Sequence, residues 1–525
     1  MKNQKLFALL LFLLCTAILQ PWRTSFSQDD AVYARFVMDL AQGKWASHPL
    51  NWAGTWTQSL LGASLVGLLP QVSPLALLTF LTWSLFWILI VSVWRRTRFS
   101  IFLIASYFLF PVWVQYGASF LTDVYTACLI ALLWVLTEQV LSSSRQNFFK
   151  YFVMILGIVL TGIQYQSFLA LPFGWGLALL VAGKKRVGLT LVVGSLIGLA
   201  VYRFFPPSIL QSEGIAWLIH HFTQDLSFQI MKASFTFLQL LLSIGLFLLP
   251  FVPWTSQTLK AARVLLPLHL FLLVLLLKVS PEILAVGVLF TGYLPPVVGA
   301  AIVSAGVWGL YPVWQLMRAY SFSQFALLYG TLFGVFVLSA FNAFRGVQDV
   351  RYSIVLSLPF VFCFARAARP SSLLGEKWFY LCPVLFVSLL TNLYNLETTS
   401  ARWKLAESLE QEGISPYNIS AGYGRDIFVF EPACIEKALQ KAGADRGLLL
   451  ERIMAQFPRV YEDGAKPQFL IKPKKVFGKE ITLQKNLREG QDLPPVRVHS
   501  YSVFGLPNEV AVIDTGTNVP PWCLQ

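Results

Sequence analysis

Between Leu6 and Tyr394 the chain is a succession of apolar runs joined by short connections rich in Arg and Lys. A helix needs about 20 apolar residues to cross some 30 Å of hydrocarbon, and most of the runs approach that length. In lipid every backbone polar group must be satisfied internally, so each run has to become a helix. The runs cover residues 6–20, 72–94, 99–116, 122–141, 148–164, 167–183, 187–205, 233–252, 264–279, 299–317, 323–341, 352–366 and 378–394, thirteen in all. Several fall short of a full span, so one pair also fits a re-entrant hairpin. Composition agrees, because only 13% of the 525 residues are charged, against about 25% in a soluble domain. The expected class is an α-helical polytopic membrane protein, and disordered, collagen-like, coiled-coil and disulfide-rich classes are excluded.

The net charge of +14 acquires meaning from its placement. Residues 1–394 carry 24 Lys and Arg against 10 Asp and Glu, whereas residues 395–525 carry 16 of each. The excess sits in short connections such as Arg95-Arg96-Thr97-Arg98 and Lys184-Lys185-Arg186, as cytoplasmic loops require under the positive-inside rule. A basic nucleic-acid face would not be divided this way. With Lys2 and Lys5 inside, inner connections hold 16 basic residues and outer ones 8, which predicts a cytoplasmic N-terminus and an external C-terminal tail. Eight of the ten acidic residues, including Asp29, Asp30, Asp39 and Asp123, then fall on the outer side. Residues 6–19 also fit the apolar core of a signal peptide with a cut at Gln28, but its removal would take away the first span.

The chain divides into a transmembrane part, 1–394, and a tail, 395–525. Within the first, the outer segment 21–71 contains an amphipathic stretch from Asp29 to Gln42. Val32, Phe36 and Leu40 recur at helical spacing there, with Arg35, Asp39 and Gln42 on other faces. It predicts a helix lying on the outer interface. The tail has the size of one domain. Helical patterns at 401–411, 433–441 and 448–457 interleave with strand-like runs at 427–430, 469–471, 496–503 and 510–513, a soluble α/β domain. Cys434 and Cys523 are its only cysteines and can form a bridge in an oxidising compartment.

Few residues carry chemistry. Asp29-Asp30 can cap the interfacial helix, and a carboxylate there can also accept a proton from an attacking hydroxyl or amine, or hold a divalent cation. Asp123 heads the fourth run, where it is either an N-terminal charge or a functional carboxylate near the hydrocarbon boundary. Arg345, Arg351 and Tyr352 stand at the outer ends of two runs, as interface anchors or as a clamp on a lipid phosphate. No Cys/His spacing specifies a metal. His220-His221 lack ligand spacing, and Gly422-Tyr423-Gly424 is too weak for a nucleotide loop.

Taken together, these residues resemble the GT-C superfamily of polytopic glycosyltransferases that use polyprenyl-phosphate sugars. The nearest branch is that of the protein mannosyltransferases and lipid A aminoarabinose transferases. The resemblance rests on Asp29-Asp30-Ala31-Val32-Tyr33 with Leu40-Ala41-Gln42-Gly43-Lys44-Trp45, on Asp123, and on Arg351-Tyr352 followed by Pro359. It covers roughly residues 1–400. The family has Asp-Glu where this chain has Asp29-Asp30, so Asp29 takes the place of the catalytic Asp. The resemblance implies a polyprenyl-phosphate-sugar donor bound by Arg345, Arg351 and Tyr352, and a glycan, lipid or protein acceptor at the outer face of a bacterial inner membrane. It fixes no cofactor and leaves dependence on a divalent metal open. A lipid or sugar transporter and a non-catalytic envelope assembly protein are the competing classes.

Overall fold

The computed structural model describes residues 2–19, 30–45, 55–68, 74–97, 122–143, 148–204, 226–248, 252, 267, 305–345, 352–367, 378–421, 469–476, 479–480, 495–503 and 505–514. Of the described residues, 81% are helical, and a small sheet lies near the C-terminus. Nine described helices precede residue 250: α1 Lys2–Leu19, α2 Asp30–Ala41, α3 Trp56–Leu68, α4 Pro74–Thr97, α5 Thr122–Ser142, α6 Phe148–Gln164, α7 Ala170–Val181, α8 Lys185–Phe204 and α9 Leu226–Leu248. Later in the chain come α10 Tyr311–Ala319, α11 Ala326–Arg345, α12 Tyr352–Ala367 and α13 Trp378–Gln411. Among the described residues, Asp123–Ser142 and Lys185–Tyr202 are long and apolar enough to cross a membrane, and six further apolar helices are shorter. The expected runs 99–116 and 264–279 lie outside the described residues, apart from residue 267.

Helices α4 to α9, α11 and α12 form one bundle, with α5 packed against α4, α6 and α12, and α7 against α8 and α11. Glycine permits the close approach. A Cβ built on Gly330 would stand 2.6 Å from the Gly174 carbonyl oxygen and 2.7 Å from the Trp175 Cα, so α7 and α11 touch backbone to backbone. A Cβ on Gly176 would also meet the Gly188 oxygen of α8 at 2.8 Å. Small residues at helix crossings let two backbones approach closely. The Trp175 indole N–H donates to the Thr331 hydroxyl at 2.9 Å and keys the first of these crossings.

The bundle is layered along its axis. The Trp134 ring lies 5.3 Å from Trp175 and 5.5 Å from Phe362, centroid to centroid, which ties α5, α7 and α12 at one level. Ten or eleven residues before these rings stand Asp123, Tyr165 and Tyr352, so all three lie about 15 Å nearer one end. By helix direction, Arg95, Arg96, Lys150, Lys184, Lys185, Arg186 and Arg366 belong to the opposite end. Among the described bundle helices these basic positions share one end, whereas Arg203 and Arg345 stand at the end of Asp123.

Outward from this bundle, aliphatic side chains stand exposed in rows: Leu6, Leu9, Leu10 and Leu13 on α1, Leu81, Leu85 and Ile88 on α4, and Leu189, Val193, Leu196 and Ile197 on α8. Each row repeats at helical spacing on a face turned away from other helices. Contiguous exposed apolar surface of this kind marks a contact with lipid or protein.

The C-terminal sheet has the order β1-β2-β5-β4, with β3 beside β2. The strands are β1 Ile419–Ser420, β2 Phe469–Val476, β3 Lys479–Glu480, β4 Pro495–Val503 and β5 Leu506–Asp514. Among these described strands, β1 pairs with β2 in parallel and the remaining pairs are antiparallel. Ala401, Leu405 and Leu409 on α13 pack on Ile471, Val510 and Val512. Helix α13 runs without a break through Tyr394, so the last expected span and the first expected tail helix are one element. The run 427–430, the patterns 433–441 and 448–457 and both tail cysteines lie outside the described residues.

Arg497 on β4 fastens this sheet to the helix by donating to the Ser408 hydroxyl at 3.1 Å and to the Glu412 carboxylate at 2.8 Å. Nearby, Tyr501 shares a hydrogen bond of 2.6 Å with the Thr398 hydroxyl. Burial pushes the Tyr501 phenol above its ordinary value, and that hydrogen bond offsets part of the rise. A raised pKa stabilises the fold while the phenol is neutral in both states. The contribution is lost as pH rises past about 10, where the unfolded tyrosine ionises first. Proteolysis of the tail should therefore accelerate between about pH 9 and 11, and Tyr501→Phe should flatten that rise; identical profiles would remove Tyr501 as a cause.

Candidate functional site

The end of the bundle that carries Asp123 is roofed by α2 and α3. Helix α2 buries Val32, Phe36, Val37 and Leu40, as its spacing predicts. The Phe36 and Trp56 rings meet edge to face at 4.9 Å, and with Leu40 they close over Ile163 of α6. Helix α3 is fixed to α6 by polar bonds. The backbone N–H of Gln58 donates to the Gln164 side-chain oxygen at 3.0 Å, and the Gln164 amide donates back to Gln58. The Thr57 hydroxyl donates to the Leu160 carbonyl at 2.9 Å. Thr55 precedes α3 with φ of 52°, a left-handed conformation that costs a β-branched residue about 1–3 kcal/mol. Its N–H donates to the Gln164 carbonyl at 3.0 Å, which holds the strained turn in place.

Asp39 departs from the expected arrangement. The sequence places it on a polar face with Arg35 and Gln42, yet it is buried, at 5% exposure. Two cations offset the loss of water: Arg35 one turn earlier at 3.5 Å, and Lys44 at 3.7 Å. Lys44 is brought back by the helix end itself. Gly43, at φ of 79°, lets the N–H of Lys44 donate to the Asp39 carbonyl at 2.9 Å, closing a glycine-terminated helix. Asp39 is engaged in this way and has a structural role.

Asp123 sits in the first turn of α5 and is 3% exposed. Among the described residues, Asp39 and Asp123 are the only buried carboxylates, and both belong to this roofed end. A carboxylate at a helix N-terminus meets backbone N–H groups and the positive end of the dipole. Beside α5, Tyr352 opens α12 and is buried, its hydroxyl hydrogen-bonded to that of Tyr165. Phe168 completes the cluster, its ring 5.2 Å from Tyr165 and 5.7 Å from Tyr352. Thr79 on α4 meets the Tyr125 hydroxyl at 3.2 Å in the same layer.

The structure thus brings Asp123 and Tyr352 to one level at the N-termini of two packed helices. Arg345 is the last residue of α11 and stands at the same end. Asp30 is the first residue of α2, whose body forms part of the roof. Asp29 and Arg351 lie outside the described residues, as do His220 and His221. Among the described residues no three His, Cys, Asp or Glu side chains gather as a metal site. No sequence signal singles out Tyr165 or the Gln58/Gln164 pair. Both depend on contacts between residues over a hundred positions apart, which leave no local pattern.

Searches against protein-family models, characterised proteins and solved structures gave no match to this chain.

Proposed function

We propose that this chain is a membrane glycosyltransferase that moves a sugar from a polyprenyl-phosphate donor to a glycan, lipid or protein acceptor at the outer face of a bacterial inner membrane. In this reading about thirteen helices span the bilayer, the N-terminus is cytoplasmic, and the tail stands outside. The observation that carries it is the concentration of buried carboxylate and tyrosine groups at the roofed end, above a level filled by aromatic rings. A transporter needs polar groups near the midplane and pathway-lining ionisable residues. Here, in the described part of the middle layer, the Thr137 and Thr331 hydroxyls instead donate to carbonyls of their own helices.

The chemistry asks little of the protein. A polyprenyl phosphate is a fair leaving group, so the enzyme must activate the acceptor, align the sugar and stabilise phosphate charge. Asp29 would serve as the base, with Asp30 and Asp123 as supporting carboxylates. Arg345, Arg351 and Tyr352 would hold the phosphate, the guanidinium groups supplying paired donors. The Tyr165 hydroxyl, bonded to that of Tyr352, would fix the phenol's direction. Purified protein given radiolabelled polyprenyl-phosphate sugar and envelope acceptors should transfer label; absence of transfer across donor sugars would reject the enzyme reading.

Orientation and donor binding are open to direct measurement. A cysteine placed at Lys466 should react with an impermeant label from outside intact cells; reaction only after the inner face is opened would reverse the orientation. Arg351→Lys keeps the charge but loses the fork, and should weaken apparent donor affinity about tenfold, with Arg351→Ala weaker still. Unchanged donor titrations in Arg351→Ala would remove it from the site.

A further inference from the structure

The end of the bundle opposite Asp123 holds a cavity of about 480 Å³ between α5, α7, α11 and α12, within the range of small-molecule sites. Its lining is graded. Ser142, Lys184, Ser323 and Gln324 are exposed and form the mouth, whereas Leu179, Leu327, Leu328 and Trp134 are buried behind them. Lys184 is placed by its own turn: Gly183 has φ of 78°, and the Lys184 N–H donates to the Leu179 carbonyl at 2.8 Å. The start of the 20-residue helix α11 is equally fixed. The Gln324 side chain accepts from the Ser321 N–H at 3.1 Å, one half of a capping box, and the Phe325 carbonyl takes the N–H groups of Leu328 and Tyr329. The N–H groups of Ala326 and Leu327, both in the lining, come before those donors and so belong to the unpaired first turn, at the positive end of the dipole.

Trp134 lies at the deep side of the cavity. It is almost fully buried, and its indole N–H has no acceptor among the described residues. Its ring meets Trp175, which donates to Thr331, so Trp134 stands level with a residue four positions, about 6 Å, beyond Leu327 along α11. Glu138, on the same stripe of α5, already has a partner within the protein and takes no part. The lining therefore offers cationic donors at the mouth and a neutral donor about one helical turn deeper, with apolar wall between them. We propose that this cavity binds a glycerophospholipid from the leaflet at this end, its phosphate at Lys184 and the α11 amides and an acyl ester carbonyl on the Trp134 N–H. Through the glycerol, phosphorus and the nearer ester carbonyl are joined by a chain roughly one helical turn long. The ester lies deeper in a bilayer than the phosphate, as Trp134 lies deeper in the bundle than Lys184. A free phosphate meets only the mouth, an ether lipid leaves the indole without an acceptor, and the headgroup beyond the phosphate is not read. The site rests on the bundle lying in a membrane and is independent of sugar transfer.

The test uses the full chain, delipidated in a maltoside detergent, with binding counted by native mass spectrometry. Dihexanoyl-phosphatidylglycerol is compared with its dihexyl ether counterpart, with dihexanoylglycerol, which lacks the phosphate, and with water-soluble glycerophosphoglycerol, which lacks the esters. The diester phospholipid should bind about fivefold more tightly than the diether and at least about tenfold more tightly than either fragment. Trp134→Phe keeps a ring against Trp175 but has no N–H, and should bring diester and diether to equal affinity. Lys184→Met should weaken both phospholipids and spare dihexanoylglycerol. Equal affinity of diester and diether in the unaltered chain, an ester preference that survives Trp134→Phe, unchanged phospholipid affinity in Lys184→Met, or a fragment that binds as tightly as the diester overturns the proposal. Should Trp134→Phe fail to fold, the diester labelled at its carbonyl carbons is bound to the unaltered chain and read by isotope-edited infrared spectroscopy: a hydrogen-bonded ester carbonyl upholds the site, and a free one overturns it. Transfer assays on the same samples separate the two readings. A chain that transfers sugar without ester preference loses only this site, whereas ester preference without transfer upholds the site and counts against the transferase.

Discussion

Asp29→Asn is expected to abolish sugar transfer while the protein still inserts and folds. The amide keeps the shape of the side chain but cannot take the acceptor's proton, and a positioned general base contributes about 10²–10⁴-fold to rate. Asp29 directly precedes α2, whose hold on the bundle comes from Phe36, Leu40 and the Gln58/Gln164 bonds of its neighbour. Loss of a cap at that point costs only about 1 kcal/mol. Near-normal turnover with Asp29→Asn would reject it as the base. Asp30→Asn and then Asp123→Asn are the next variants, and Asp123→Asn also removes a buried charge from the first turn of α5. Its melting temperature must therefore be read beside its activity.

Gly330→Val should prevent the bundle from assembling, whereas most exposed substitutions on the same helices should be silent. Two branched methyls cannot occupy a crossing where even a Cβ would press on the Gly174 carbonyl and Trp175 backbone. Helices α7 and α11 would have to part, breaking the Trp175–Thr331 bond with them. Overpacking usually costs about 1–3 kcal/mol, and a backbone-to-backbone contact stands at or above the upper end. Gly330→Ala should be intermediate, and Phe333→Leu on an exposed face of α11 close to neutral. Size-exclusion profiles and melting temperatures in detergent check the series; a monodisperse Gly330→Val with unchanged melting would mean that the crossing is not tight.

Much of the helical layout is legible in the sequence because apolar runs and their breaks are local signals. The runs 148–164 and 122–141 correspond to α6 and α5 within a residue. Helix α3 is not legible in this way, because Trp56–Leu68 carries Gln58, Ser59 and Ser64, too polar and too short for a span. Its place comes from partners on α6, not from its own periodicity. A helical wheel sets Asp39 beside Val32, at the edge of the apolar face, but it knows nothing of the chain beyond the helix, and Lys44 reaches Asp39 only through the turn at Gly43. In the tail, β4 is marked by its β-branched and aromatic residues and β5 by the continuous apolar run from Val510 to Ile513. Strand β1 spans two residues and is defined by pairing with Phe469 and Leu470, a register that no pattern in its own sequence encodes.

The unbroken course of α13 has a mechanical meaning. Where a flexible linker would let the tail tumble, a helix transmits rotation, so the tail's heading is set by the number of residues between the apolar part of α13 and the sheet. Each residue added to a helix turns the downstream chain by about 100° and lifts it about 1.5 Å. One inserted alanine after Tyr394 would aim the sheet at a different sector around the helix axis, and a whole turn would nearly restore its bearing at a greater height. The length of this helix therefore acts as a phase setting, and a tail that guides or covers an acceptor would be sensitive to that phase before it was sensitive to any single contact.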